Sequence, residues 1–163
     1  METSVQKAIR KSIETEKNAM YFYRMGAAKM EDKAARELFE LLAREEKEHA
    51  GHFKSIYKGA DIPSLEDYLE TPPDNASQWL VSISSLIESD FTARKAMELA
   101  MEREKILEEE LLKFADGVFD TEVKKVFQMN AKETANHYQM IESEYARHMA
   151  MVHETDIDTF VRE

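Results

Sequence analysis

Apolar residues recur at three- and four-residue steps along most of the chain, which is the period of helices buried on one side. The first stripe is Ile9, Ile13, Met20, Tyr23 and Ala27. Thr3 or Ser4 can cap it, with Gln6 three residues after Thr3 as in a capping box, so a helix is predicted from about residue 4 to Met30. The second stripe is Leu38, Phe39, Leu42, Phe53, Ile56 and Tyr57, ending near Lys58. The break between them, at Glu31-Asp32, is so short that the two helices must form an antiparallel hairpin. Each would be about 39 Å long at 1.5 Å per residue. A third helix is predicted from Thr92 through Met97, Met101, Leu107 and Leu111 to Asp116-Gly117, where Gly117 suits a left-handed C-terminal cap. Asp120 then caps a fourth, with Val123, Phe127, Ile141 and Tyr145 on one face. Residues 59–91 break the pattern with Gly59, Pro63, Pro72 and Pro73. They still offer a helical start at Ser64-Leu65-Glu66-Asp67 and a short apolar side at Trp79, Leu80, Ile83, Leu86 and Ile87. That favours an ordered crossover over a structureless loop.

The expected architecture is all-α, a four-helix bundle in one domain spanning 1–163. It comprises hairpin 4–58, crossover 59–91, hairpin 92–147 and a weakly periodic tail 148–163 that adds a short helix or frays. An internal repeat supports the two hairpins. At an offset of 88 residues, Glu16 falls on Glu104, Asp32 on Asp120, Phe39 on Phe127, His49 on His137 and Tyr57 on Tyr145. Segments 8–57 and 96–145 share 12 identities over 50 ungapped positions. Roughly four would arise by chance in so Glu- and Ala-rich a composition.

Polar residues interrupt the apolar stripes at five places: Glu16, Glu46, His49, Glu104 and His137. Any one of them alone reads as a solvated position or as a core histidine with one hydrogen bond. A bundle of two repeated hairpins brings all five to one height in the core. Three carboxylates and two imidazoles without a cation would repel and push pKa values up, whereas around one or two divalent cations they become a ligand set.

Composition narrows the chemistry. The net charge of −11, with no basic run, argues against a nucleic-acid partner and favours cations. With no Cys, disulfides, thiolate zinc and rubredoxin-type iron are excluded, so any metal is held by carboxylate and imidazole. The N-terminus lacks a basic segment followed by an apolar run, and no stretch approaches 18 apolar residues. No membrane span is expected, and the cytoplasm is the expected location. The scattered glycines form no phosphate loop or nucleophile elbow.

A helix-1 Glu, then Glu-x-x-His 30 residues later, repeated after a long crossover, resembles the ferritin-like diiron carboxylate proteins and among them the rubrerythrin-type domains. The resemblance covers about residues 4–147. It implies a ferritin-like four-helix bundle with two carboxylate-bridged irons that react with peroxide or dioxygen or oxidise ferrous iron. Glu16 and Glu104 would be carboxylates from helices 1 and 3, Glu46 the bridging one, and His49 and His137 terminal nitrogen ligands. Without a rubredoxin segment, electrons would come from a separate donor protein. A homodimer is the expected assembly.

The pattern breaks at one position. The counterpart of Glu46 is Thr134, so one carboxylate is missing and the second metal position is in question. Glu108, one turn after Glu104, and Glu133, about 100° off the face, are the available substitutes. The alternative function is an iron-binding, sensing or structural bundle whose degenerate site does not turn over. Other polar features read as structure: Glu102, Glu109 and Glu110 as a solvated face, Met20, Met97, Met101 and Met140 as core filler, and Tyr23 as a core tyrosine that could hydrogen-bond a ligand carboxylate. His52, His148 and His153 fall outside the predicted site.

Overall fold

The computed structural model describes residues 3–162, with side chains to residue 152. Its six helices among the described residues are α1 Ser4–Lys29, α2 Lys33–Ser55, α3 Leu65–Glu70, α4 Gln78–Glu88, α5 Ala93–Gly117 and α6 Thr121–Arg162, and those residues contain no strand. The fold is an all-α, ferritin-like four-helix bundle in which α1 pairs with α2, α5 with α6, and α2 with α6. No helix among the described residues is long and apolar enough to cross a membrane.

Each hairpin turns the same way, for reasons visible in the repeat. α1 ends on Met30 and α5 on Val118, both extended and buried. Two residues later an aspartate starts the next helix. Asp32 Oδ1 accepts from the Ala35 amide (3.0 Å), and Asp120 Oδ1 from those of Glu122 (2.9 Å) and Val123 (3.1 Å). The expectation of a left-handed cap at Gly117 is corrected here. No glycine among the described residues has a positive φ, and Gly117 is the last residue of α5. Gly117 stays helical, and the chain leaves α5 through Val118, which is extended and buried as Met30 is at the end of α1. α6 continues unbroken to Arg162, so the tail extends the fourth helix.

The crossover is strapped to the outer side of α1, which explains why Glu16 to Met20 are all buried. Lys17 Nζ donates to Thr71 Oγ1 (2.5 Å), Asn18 Oδ1 accepts from the Asp74 amide (3.2 Å), and the Tyr21 hydroxyl reaches the Leu69 carbonyl (3.0 Å). Desolvation of the Lys17 ammonium lowers its pKa. α4 lies on α1 and α5, and its Trp79 ring meets Phe22 edge-on (centroids 5.2 Å). Gly26 lets α1 and α2 approach closely, since a Cβ there would lie 2.8 Å from the Phe39 ring. Gly26→Ala is therefore expected to destabilise the protein by about 1–3 kcal/mol through overpacking, despite the better helix propensity of Ala. Denaturant unfolding checks this, and an unchanged or higher midpoint would refute the close approach.

Candidate metal centre

The five residues singled out from the sequence converge in the bundle core. Glu16 comes from α1, Glu46 and His49 from α2, Glu104 from α5 and His137 from α6, and none is more than 2% exposed. One ligating atom from each of Glu46, His49 and His137 lies within 4.8 Å of the others. The two imidazoles stack, with centroids 4.9 Å apart and planes at 16°. His49 Nδ1 sits 3.6 Å from Glu16 Oε2 and 3.7 Å from Glu46 Oε1. His137 Nδ1 sits 2.9 Å from Glu46 Oε1 and 3.4 Å from Glu104 Oε1. Glu46 thus stands between the two histidines, with Glu16 beside one and Glu104 beside the other.

Hydrogen bonding inside the cluster is incomplete. Among the described residues, the buried side-chain polar atoms without an aligned partner are both oxygens of Glu16, both of Glu46, Nδ1 of His49 and Oε2 of Glu104. The approach of Glu46 Oε1 to His137 is short but misaligned for a hydrogen bond. Leaving such groups unmet costs about 1–3 kcal/mol each, and more when charged, so their concentration at one point is a strong signal. Lone pairs from three carboxylates and one imidazole aim at a common space. This donor set fits a hard or borderline divalent cation.

The outward nitrogens of both histidines face carboxylates that sequence reasoning left out or misjudged. Glu133 of α6 reaches across to His49 Nε2 (2.7 Å), and Glu45 of α2 reaches across to His137 Nε2 (3.0 Å). Each histidine is braced by the opposite hairpin, and with the proton kept on Nε2, loss of the Nδ1 proton to a bound cation would turn the Nδ1 lone pair inward as a ligand. Glu45 and Glu133 are themselves one of the identities of the repeat, a signal that could have found them. Glu133 is consequently an outer partner of His49 here. Glu108 turns to Lys105 (3.5 Å) on the surface and leaves the centre short of a carboxylate. Thr134 is fully buried, with its hydroxyl donated back to the Asn130 carbonyl (2.7 Å). Tyr23 takes the hydrogen-bonding role: its hydroxyl donates to Glu104 Oε1 at 2.6 Å. His52 lies beside Asn130 (3.4 Å) on the outer side of the cluster, where its ring stacks on that of His49 (centroids 6.1 Å) and approaches Glu133 (3.9 Å); His148 lies beside Asp32 (3.3 Å), and the His153 side chain is outside the described residues.

The protonation pattern follows from burial and charge. Desolvation and the neighbouring Glu16 hold the Glu46 carboxyl well above its ordinary value, whereas Glu16 is lowered because the closeness of the Glu46 carboxyl and the His49 imidazole outweighs its burial. His137 is pushed up to about 12, its burial more than offset by Glu104 and Glu46; His49 is raised in the same sense, chiefly by Glu16. Histidines raised above 6.5 and a carboxyl raised above 4.5 bind protons in the folded state that the unfolded chain has released. Their stabilisation is complete below those values and is lost as pH rises toward the folded pKa values. The metal-free protein should lose up to about 1.4 kcal/mol per pH unit, for each proton so held, above pH 6.5. Cation binding replaces these protons, so the loaded protein should show a flatter profile. Melting curves across pH 6.5–9 test the sign, and a metal-free protein that gains stability over that range would overturn it.

A bundle of two repeated hairpins around a buried Glu/His cluster defines the class of ferritin-like carboxylate proteins. The family model described as Rubrerythrin matches residues 7–145, and the chain belongs to that family, within the ferritin-like diiron superfamily. Neither the search of curated proteins nor that of solved structures gave a match.

Proposed function

We propose that the chain is a non-haem diiron protein of oxidoreductase type, acting on peroxide, dioxygen or ferrous iron. The observation that carries this is the set of inward-facing, partnerless lone pairs on Glu16, Glu46, His49 and Glu104. Glu16, Glu46 and His49 would hold one ion and Glu104, Glu46 and His137 the other. The two irons, when bound, would supply two one-electron couples for reduction of an O–O bond or for oxidation of ferrous iron. Glu45 and Glu133 hold the imidazoles in the ligating tautomer, and Tyr23 fixes the carboxylate of Glu104. The apolar walls around them, including Leu42, Phe39 and Ile13, exclude bulk water. Electrons for turnover would come from a separate donor protein, since a chain without Cys has no thiolate iron centre. We also propose a homodimer, for which light scattering at the monomer mass is the contrary result. The reaction is tested by peroxide consumption with anaerobically reduced, iron-loaded protein. A rate well above that of free ferrous iron is expected, and an equal rate would overturn turnover.

One observation favours a second reading, an iron-binding or sensing module. Thr134 is bonded within its own helix and Glu108 faces a lysine, so the second hairpin supplies one carboxylate to the centre where the first supplies two, and Glu46 has to serve both positions. Binding of one ion per chain without peroxide turnover would favour this reading.

A further inference from the structure

Glu45 and Glu133 are equivalent by the repeat, yet their surroundings differ. Three residues before Glu133 stands Asn130, whose counterpart before Glu45 is Leu42. Three residues after His49 stands His52, whose counterpart after His137 is Met140. The two departures face each other across α2 and α6, with His52 Nδ1 3.4 Å from Asn130 Oδ1. Asn130 is fully buried, which is costly for an amide unless its groups are met. Its Nδ2 donates to the Val126 carbonyl (2.8 Å), an atom that can only accept, so Oδ1 is the atom turned to His52. His52 therefore carries a proton on Nδ1 and donates it to Asn130. The same N–H edge lies 3.9 Å from Glu133 Oε2, the oxygen that meets His49 Nε2 at 2.7 Å. That is too long for a hydrogen bond, but close enough for the N–H dipole to hold the carboxylate's charge in place. The His52 ring also stacks on the His49 ring, with planes at 29°. On the other side, Glu45 meets His137 and has no further polar partner among the described residues.

We propose that His52, oriented by Asn130, is a positioning residue for His49: it keeps the Glu133 carboxylate on His49 Nε2 and backs the imidazole ring, so that His49 is held more firmly than His137. What this does for a bound ion rests on the diiron reading, under which the position of Glu16, Glu46 and His49 becomes the tighter of the two. Three features carry the proposal. A buried amide stands where the repeat has leucine, and its oxygen is spent on His52. His52 touches both members of the Glu133–His49 pair, one by its N–H edge and one by its face. Neither His52 nor Asn130 has a polar equivalent around Glu45 and His137, so the support is confined to one side. A histidine that served only to satisfy Asn130 would be dispensable once Asn130 is gone, and this separates the two roles.

The decisive variant is therefore the double substitution His52→Leu with Asn130→Leu, which removes donor and acceptor together and strands neither. Its metal-free melting point should stay close to that of wild type. The first readout is nuclear magnetic resonance of metal-free protein carrying isotope-labelled histidine. The Nε2 proton of His49 should exchange with solvent at least about fivefold faster in the double variant than in wild type. In His52→Asn, whose amide nitrogen stands where Nδ1 stood, it should exchange at close to the wild-type rate. The second readout is titration with zinc, a redox-inert probe. The double variant should lose about three- to tenfold in affinity at its tightest position, while His52→Asn matches wild type. Wild-type exchange in the double variant overturns the positioning, as does a His52→Asn protein that behaves like the double variant. Faster exchange with unchanged zinc affinity overturns its bearing on the ion. If no protein binds zinc, the metal reading falls by itself, and exchange alone decides whether His52 positions His49. Should the double variant fail to fold, His52→Leu against the isosteric His52→Asn gives the same contrast.

Discussion

Glu46→Ala is expected to abolish binding of a metal pair and to lower affinity for any single ion by more than about 100-fold, because Glu46 is the carboxylate within reach of both histidines. Loss of metal alone would not separate a lost ligand from a damaged fold, but the protonation pattern does. In the metal-free protein Glu46 is a fully buried carboxyl held well above its ordinary pKa by desolvation and by Glu16, with neither oxygen in an aligned bond. Removing such a group should leave the metal-free protein as stable as wild type or more so. Glu46→Gln, which keeps the volume, isolates this effect from the cavity an alanine would leave. Calorimetry of both states gives the answer. A variant that binds metal as wild type does would remove Glu46 from the ligand set, and one that melts well below metal-free wild type would mean the carboxyl is structural.

Thr134→Glu should act in opposite directions on the two states. With metal, a carboxylate opposite Glu46 restores the missing donor, and the weaker position should gain about 10- to 100-fold in affinity. Without metal, the same substitution adds one more buried carboxylate to an already crowded cluster and breaks the Thr134–Asn130 bond, so stability should fall by about 2–4 kcal/mol. Glu108→Ala should change neither, since Glu108 pairs with Lys105. Iron titration followed by metal-free unfolding measures both. Unchanged affinity in Thr134→Glu together with a lost second ion in Glu108→Ala would mean that Glu108 turns inward on binding.

The helical hairpins and the five core polar residues were legible because both depend on spacing. A 3.6-residue period decides which side chains point inward, and the repeat decides which of them meet. Residues that act from beside the stripe were not legible in this way. Glu45 and Glu133 lie one position off the face, and only the closeness of α2 and α6 lets each cross to the other helix's histidine. The left-handed cap expected at Gly117 rests on composition alone, whereas the chain leaves α5 one residue later, through an extended and buried Val118. The burial of Lys17 and Asn18 depends on the crossover lying over α1, which no local pattern in α1 encodes.

The most direct test of the central claim is an anaerobic titration of metal-free protein with ferrous iron, with elemental analysis at saturation and helicity monitored throughout. Two ions per chain are expected, the first bound more tightly, with release of protons on binding. Saturation at one ion would contradict a diiron centre, and a fully helical protein that takes up none would contradict the metal centre itself.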